Sequence, residues 1–168
     1  MNDFTSFPLY NVLEIIKGTT VDGPGFRTSI YLAGCNHHCI GCQNPQSWDP
    51  ENGKLMSLQD ILNVVNEEDF DVTLSGGDPL FNPLKLKILV HELKKNRRNV
   101  WIYTGYTWEE IMANPDYFAS VKEADIVVDG RYLQEKRDLD LPFRGSSNQR
   151  LINVQKTIET GKIVCLLR

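Results

Sequence analysis

At 168 residues, 41% hydrophobic and 24% charged, the chain has the size and composition of one globular domain; disorder, fibrous repetition and low complexity are excluded. Its formal net charge of −4 argues against a nucleic-acid surface, which needs a basic excess. No stretch reaches the roughly 20 apolar residues of a membrane span and no basic-then-apolar export signal opens the chain, so the expectation is a cytoplasmic protein of one domain over 1–168 that engages neither nucleic acid nor membrane.

Strand-like apolar runs alternate with helical patterns, which predicts a parallel sheet with crossover helices. Val21-Asp22-Gly23-Pro24-Gly25-Phe26-Arg27 reads as a turn that starts the first expected strand, 28–33. Directly after it comes Gly34-Cys35-Asn36-His37-His38-Cys39-Ile40-Gly41-Cys42. Three thiolates on one tight loop are soft ligands suited to zinc or an iron–sulfur cluster, and in a reducing compartment close thiols read as metal ligands before they read as disulfides. No fourth cysteine follows nearby, so one coordination position stays open. Structural sites close all four positions, whereas a site one ligand short can bind and activate a small molecule.

Asn44-Pro45 and Trp48-Asp49-Pro50 lead to Ser57, an N-cap for a helix to about Asn66 that buries Leu58, Ile61, Leu62 and Val65. A strand over 70–75 runs into Ser75-Gly76-Gly77-Asp78-Pro79, where paired glycines let backbone approach a ligand or simply turn into a helix. Residues 84–95 form an amphipathic helix with Leu86, Leu89, Val90 and Leu93 on one stripe; Lys94, Lys95, Arg97 and Arg98 complement the negative end of its dipole. His91 on that helix carries no expected role. A strand over 100–104, short helices over 108–113 (capped by Thr107) and 116–123, and a strand over 125–128 continue the alternation. After Asp129-Gly130 comes a polar excursion over 131–148, and the runs 151–154 and 163–167 flank Thr160-Gly161-Lys162 as an expected hairpin. Cys165, in the last apolar run, reads as a small buried hydrophobe.

Four crossover-linked strands cannot close an eight-stranded barrel of about 250 residues, so the expected fold is α/β: a partial, open β/α barrel with a mostly parallel curved sheet. Ligands of such folds gather at the C-terminal strand ends. Cys35 onward, Gly76-Gly77-Asp78-Pro79, Gly105 and Asp129-Gly130 all fall on that rim, as a single site would require. No serine–histidine–acid or paired-carboxylate constellation is visible, so no catalytic side chain is expected beyond those that hold a cluster.

The cysteine loop, the glycine pair one β-α unit later and the glycine–proline turn just upstream together resemble the radical S-adenosylmethionine superfamily. The resemblance implies that Cys35, Cys39 and Cys42 bind three irons of a 4Fe-4S cluster whose fourth iron chelates S-adenosylmethionine, and that Gly76, Gly77 and Asp78 cradle its methionine amino end. Many members carry an aromatic residue where Gly41 stands, so adenine contact is expected from backbone around Gly41, Cys42 and Gln43. Asp129 is a further candidate contact. Within the superfamily, the small size and the stretches 75–80, Thr104-Gly105-Tyr106-Thr107, Asp129-Gly130-Arg131-Tyr132 and 144–150 resemble activating enzymes of anaerobic ribonucleoside-triphosphate reductase, over residues 10–154.

That resemblance implies reductive cleavage of S-adenosylmethionine, formation of a glycyl radical on the large reductase subunit, and a low-potential electron donor such as flavodoxin. The rim segments 143–148 and 48–52 are the expected docking elements. Two other readings stand beside it: an enzyme acting on another target, such as pyruvate formate-lyase or a deazaguanine precursor, and a zinc-binding interaction module closed by His37 or His38.

Overall fold

The computed structural model describes residues 8–166. Its seven strands form one open sheet in the order β3-β1-β2-β4-β5-β6-β7. The centre is parallel: β2 (Arg27–Leu32), β4 (Asp71–Gly76), β5 (Val100–Tyr103) and β6 (Ile126–Asp129). Antiparallel strands flank it, with β1 (Leu9–Thr19) and β3 (Lys54–Ser57) on one side and β7 (Arg150–Asn153) on the other. This is the open, curved, parallel-centred α/β sheet the alternation predicts.

Side-chain alternation along the central strands gives the sheet two different faces. Ile30, Val72, Leu74, Val100, Ile102 and Val127 face the helices, and pack with Ile61 and Val65 of α1 (Leu58–Asn66), Leu86, Leu89 and Leu93 of α2 (Pro83–Lys95), and Ile111 of α3 (Trp108–Ala113). Each fully buried aliphatic side chain there contributes about 1.5–3 kcal/mol. The concave face holds a smaller cluster of Trp101, Ile126, Val128 and Leu151, with Tyr103 and Phe143 packed against it. Local chemistry starts the helices where expected: Ser57 and Asp60 form a capping box for α1, and Thr107 and Glu110 form another for α3. Among the described residues no helix is long and apolar enough to cross a membrane.

Two strands escape the sequence pattern. β1 changes register between Val12 and Glu14 and again near Lys17, so its apolar residues do not alternate. β3 is a four-residue edge strand whose Lys54 and Leu55 are exposed. The expected terminal pairing is present, but its connection is not a tight turn. α4 (Pro115–Val121) lies between α3 and β6; α5 (Val154–Thr160) follows β7 directly, and Gly161 is its left-handed C-terminal residue at φ 67°. The returning chain pairs antiparallel with β7 through an Ile152–Cys165 bridge, with Asn153 N donating to Val164 O at 2.8 Å and Leu166 N to Leu151 O at 2.9 Å. Leu167, at the end of the predicted run, lies outside the described residues. Cys165 is half-buried against the main core.

The glycine–proline turn lies at the start of β2, at the opposite end of the parallel strands from the cysteines. Arg27 closes that end. It is fully buried, and its guanidinium donates to Thr73 Oγ1 (2.7 Å), Val72 O (2.7 Å) and Asn99 O (3.1 Å) while stacking 5.3 Å from the Trp101 ring centroid. Thr73 Oγ1 in turn donates to Asp22 O at 2.8 Å, which ties the turn beneath the sheet. Arg27→Leu removes every one of these donors from buried acceptors, and is expected to lower the unfolding free energy by about 3–5 kcal/mol, read as a lower urea midpoint at unchanged slope.

Candidate metal centre and its rim

The cysteine loop leaves the C-terminal end of β2 and is held by backbone on both sides. Gly34 N donates to Ser47 O (2.8 Å) and Cys35 N to Trp48 O (3.3 Å), so the chain that follows the cysteines folds back on the first of them. On the other side Gly77 N donates to Leu32 O (2.7 Å) and Asp78 N to Gly34 O (2.8 Å). This close approach explains the glycine pair. A Cβ on Gly76 would sit 2.3 Å from Leu32 O, and one on Gly77 2.4 Å from Gly34 O. The pair therefore joins two strand ends before it serves any ligand.

Cys35 is buried, Cys39 and Cys42 are half-buried, and Ile40 between them is 83% exposed. Burial pushes the Cys35 and Cys39 thiols up, so binding a metal must displace their protons. Among the described residues no three His, Cys, Asp or Glu side chains converge to hold one metal ion. A zinc ion needs its sulfurs at about 2.3 Å from a common centre. A cluster takes one thiolate on each of several irons, so its three thiolates need not meet at one point.

The histidines do not complete a zinc site. His37 has both ring nitrogens engaged, Nε2 at 2.6 Å from Asp78 Oδ2 and Nδ1 accepting from Arg131 Nε at 3.1 Å. His38 turns away and stacks on Trp48 at 4.6 Å between centroids. The loop thus offers three thiols and no fourth ligand of its own, which corrects the Cys3His alternative.

Asp78 and Asp129 both lie on the rim, and both are consumed by protein contacts. The Asp78 carboxylate is 2% exposed and accepts from Leu80 N (2.8 Å), Thr104 Oγ1 (2.9 Å) and Gly105 N (2.9 Å) besides its contact with His37. Asp129, 1% exposed, accepts from Trp108 N (2.7 Å) and from two guanidinium nitrogens of Arg150, at 3.1 and 2.5 Å. Arg150 also reaches Glu109 Oε2 at 2.7 Å, which holds the Glu109 carboxyl below its ordinary value; Asp129, and after it Glu109, raise the guanidinium above its own. At the rim Gly41 and Gln43 are exposed, and Gly76 and Gly77 are half-buried.

Of the two expected docking elements, 143–148 is partly turned inward. Phe143 points inward and meets Trp101 edge-on at 5.5 Å, and its carbonyl accepts from Tyr103 Oη at 2.8 Å. Gln149 folds the rest into a closed turn, Oε1 accepting from Gly145 N (2.9 Å) and Ser146 N (3.1 Å) and Nε2 donating to Gly130 O (3.0 Å). The segment caps the concave face from within. In 48–52, by contrast, Asp49, Pro50, Glu51 and Asn52 are exposed. Two large apolar side chains are exposed without any local sequence signal: Ile40, inside the cysteine loop, and Leu139, 80% exposed on the excursion.

Residues 21–152 match the family described as a 4Fe-4S single cluster domain. The anaerobic ribonucleoside-triphosphate reductase-activating protein of Haemophilus influenzae is 33% identical over 150 residues, covering 83% of this chain and 95% of that protein. The proteins of the same name from Enterobacteria phage T4 and Escherichia coli K12 are each 33% identical, over 78% and 77% of this chain and 86% and 89% of theirs. This chain belongs to the anaerobic ribonucleoside-triphosphate reductase-activating protein family. Its fold is also that of QueE from Escherichia coli, with a TM-score of 0.51 at 22% identity over 59% of this chain and 53% of that one.

For this member of the activating-protein family, the three clustered thiols are expected to act as a unit. Alanine at Cys35, Cys39 or Cys42 should leave less than about a tenth of the wild-type iron after anaerobic reconstitution, whereas Cys165→Ala should leave it unchanged, as read by iron and sulfide analysis.

Proposed function

We propose that the chain is a radical S-adenosylmethionine activase that cleaves S-adenosylmethionine reductively and places a glycyl radical on the large subunit of anaerobic ribonucleoside-triphosphate reductase. The observation that carries this reading is the three-thiol loop with no protein ligand for a fourth position, set where the parallel strand ends converge. Sulfur donors of this kind fit an iron–sulfur cluster, and the matched domain is of the 4Fe-4S type. Cys35, Cys39 and Cys42 would hold it. When bound, the cluster supplies one low-potential electron to the sulfonium of S-adenosylmethionine.

The chain's own work is binding and shielding. Backbone of Gly76 and Gly77 faces the methionine end, and backbone around Gly41, Cys42 and Gln43 faces adenine. Asp78 serves by fixing the glycine pair, and Asp129 by holding Arg150, each through the contacts that exhaust its carboxylate. Phe143 and Trp101 close the concave face beneath the site and keep water from that side. The rim itself is open, so the reductase completes the enclosure over 48–52, Ile40 and Leu139. A low-potential donor such as flavodoxin delivers the electron, and the reaction takes place in the cytoplasm.

Anaerobic reconstitution followed by incubation with S-adenosylmethionine, a reductant and the large reductase subunit is expected to yield methionine and a glycine-centred doublet in the electron paramagnetic resonance spectrum. Methionine release without that doublet, combined with radical formation on pyruvate formate-lyase, would reassign the target.

A further inference from the structure

His37 sits midway between the first two cysteines, yet its side chain is only 6% exposed and points away from them into the strand ends. Arg131 has only protons to give, so Nδ1 accepts and the single ring proton belongs on Nε2, directed at Asp78 Oδ2 2.6 Å away. The ring lies over Gly105, where a Cβ would come within 2.4 Å of His37 Cδ2, and Tyr106 meets it edge-on at 4.5 Å. One imidazole thus touches residues that follow β4, β5 and β6. A phenylalanine or leucine would fill the same volume; the two oppositely directed hydrogen bonds select histidine. The next residue carries a mark of the constraint, for His38 is held at φ 47°, a left-handed conformation that non-glycine residues keep only where surrounding contacts over-determine it.

We infer that His37 is a positioning residue, which stakes the cysteine loop to Asp78 and Arg131 so that the open coordination position faces the Gly76-Gly77 backbone. The inference rests on the activase reading above. Its consequence is separable from cluster uptake: without the stake, the thiols still gather a cluster, but the cosubstrate meets a loop free to turn away from its cradle.

The test uses reconstituted full-length protein. Wild type, His37→Gln, His37→Leu and Gly105→Ala are compared for iron content, then titrated with S-adenosylmethionine by the change it causes in the resonance spectrum of the reduced cluster. His37→Leu, and Gly105→Ala, whose methyl displaces the ring, are expected to bind iron normally but need about tenfold more S-adenosylmethionine for half the change. His37→Gln, whose amide can donate to Asp78 and accept from Arg131, is expected to stay within about threefold of wild type. Wild-type titration by His37→Leu, or equal losses in His37→Gln and His37→Leu, overturns the inference and leaves the activase reading standing. A wild type whose cluster spectrum does not respond to S-adenosylmethionine removes that reading and the inference with it. A measurement independent of the variants is the nitrogen-15 spectrum of metal-free wild type: a His37 ring proton on Nε2 supports the stake, and one on Nδ1 overturns it.

Discussion

The buried Asp78 carboxylate organises the working end of this molecule. The Asp78 carboxylate has almost no exposure, and an ionised group so placed costs several kcal/mol unless donors surround it. Its donors come from the start of the 3-10 turn after β4, from the Thr104-Gly105 pair after β5 and from His37 in the cysteine loop after β2. Satisfying one carboxylate therefore forces three separate strand ends into a common geometry. Arg131, bound to the far side of His37, brings in the segment after β6. The geometry of the metal loop is in this sense set from outside the loop.

The two ends of the parallel sheet are built on opposite plans. At the N-terminal end Arg27 fills the space between strands and spends its donors on backbone and Thr73, leaving a closed floor. At the C-terminal end, glycines allow β2 and β4 to touch through backbone, and the two rim carboxylates are withdrawn into pairs, Asp78 with the buried His37 side chain and Asp129 with half-buried Arg150. Such an arrangement suits a site whose chemistry comes from a cofactor. What the protein must supply is rigid placement and main-chain polar groups, and both are present.

Much of this is legible in the amino-acid sequence. Capping residues Ser57 and Thr107 announced their helices because the signal is local, and the cysteine spacing announced the metal loop for the same reason. Strand β1 was not legible, since its register shifts break the alternation that marks a half-buried strand, and β3 is too short and exposed to show one. Asp78 and Asp129 fall on the rim as the strand ends imply, but, Leu80 apart, their partners lie 21 to 41 positions away in sequence and no spacing rule links them. The inward packing of Phe143 was hidden for a related reason, since Trp101 lies 42 positions away and only the fold brings the two rings together.

The way the cysteine loop is fastened sets it apart from a small zinc domain, where little but the ion holds the ligands together. Protein groups tie this loop down: Ser47 and Trp48 clasp Gly34 and Cys35, and His37 anchors it to Asp78 and Arg131, which follow β4 and β6. A change at any of those distant anchors therefore reaches the orientation of the thiols, although it lies far from them in sequence.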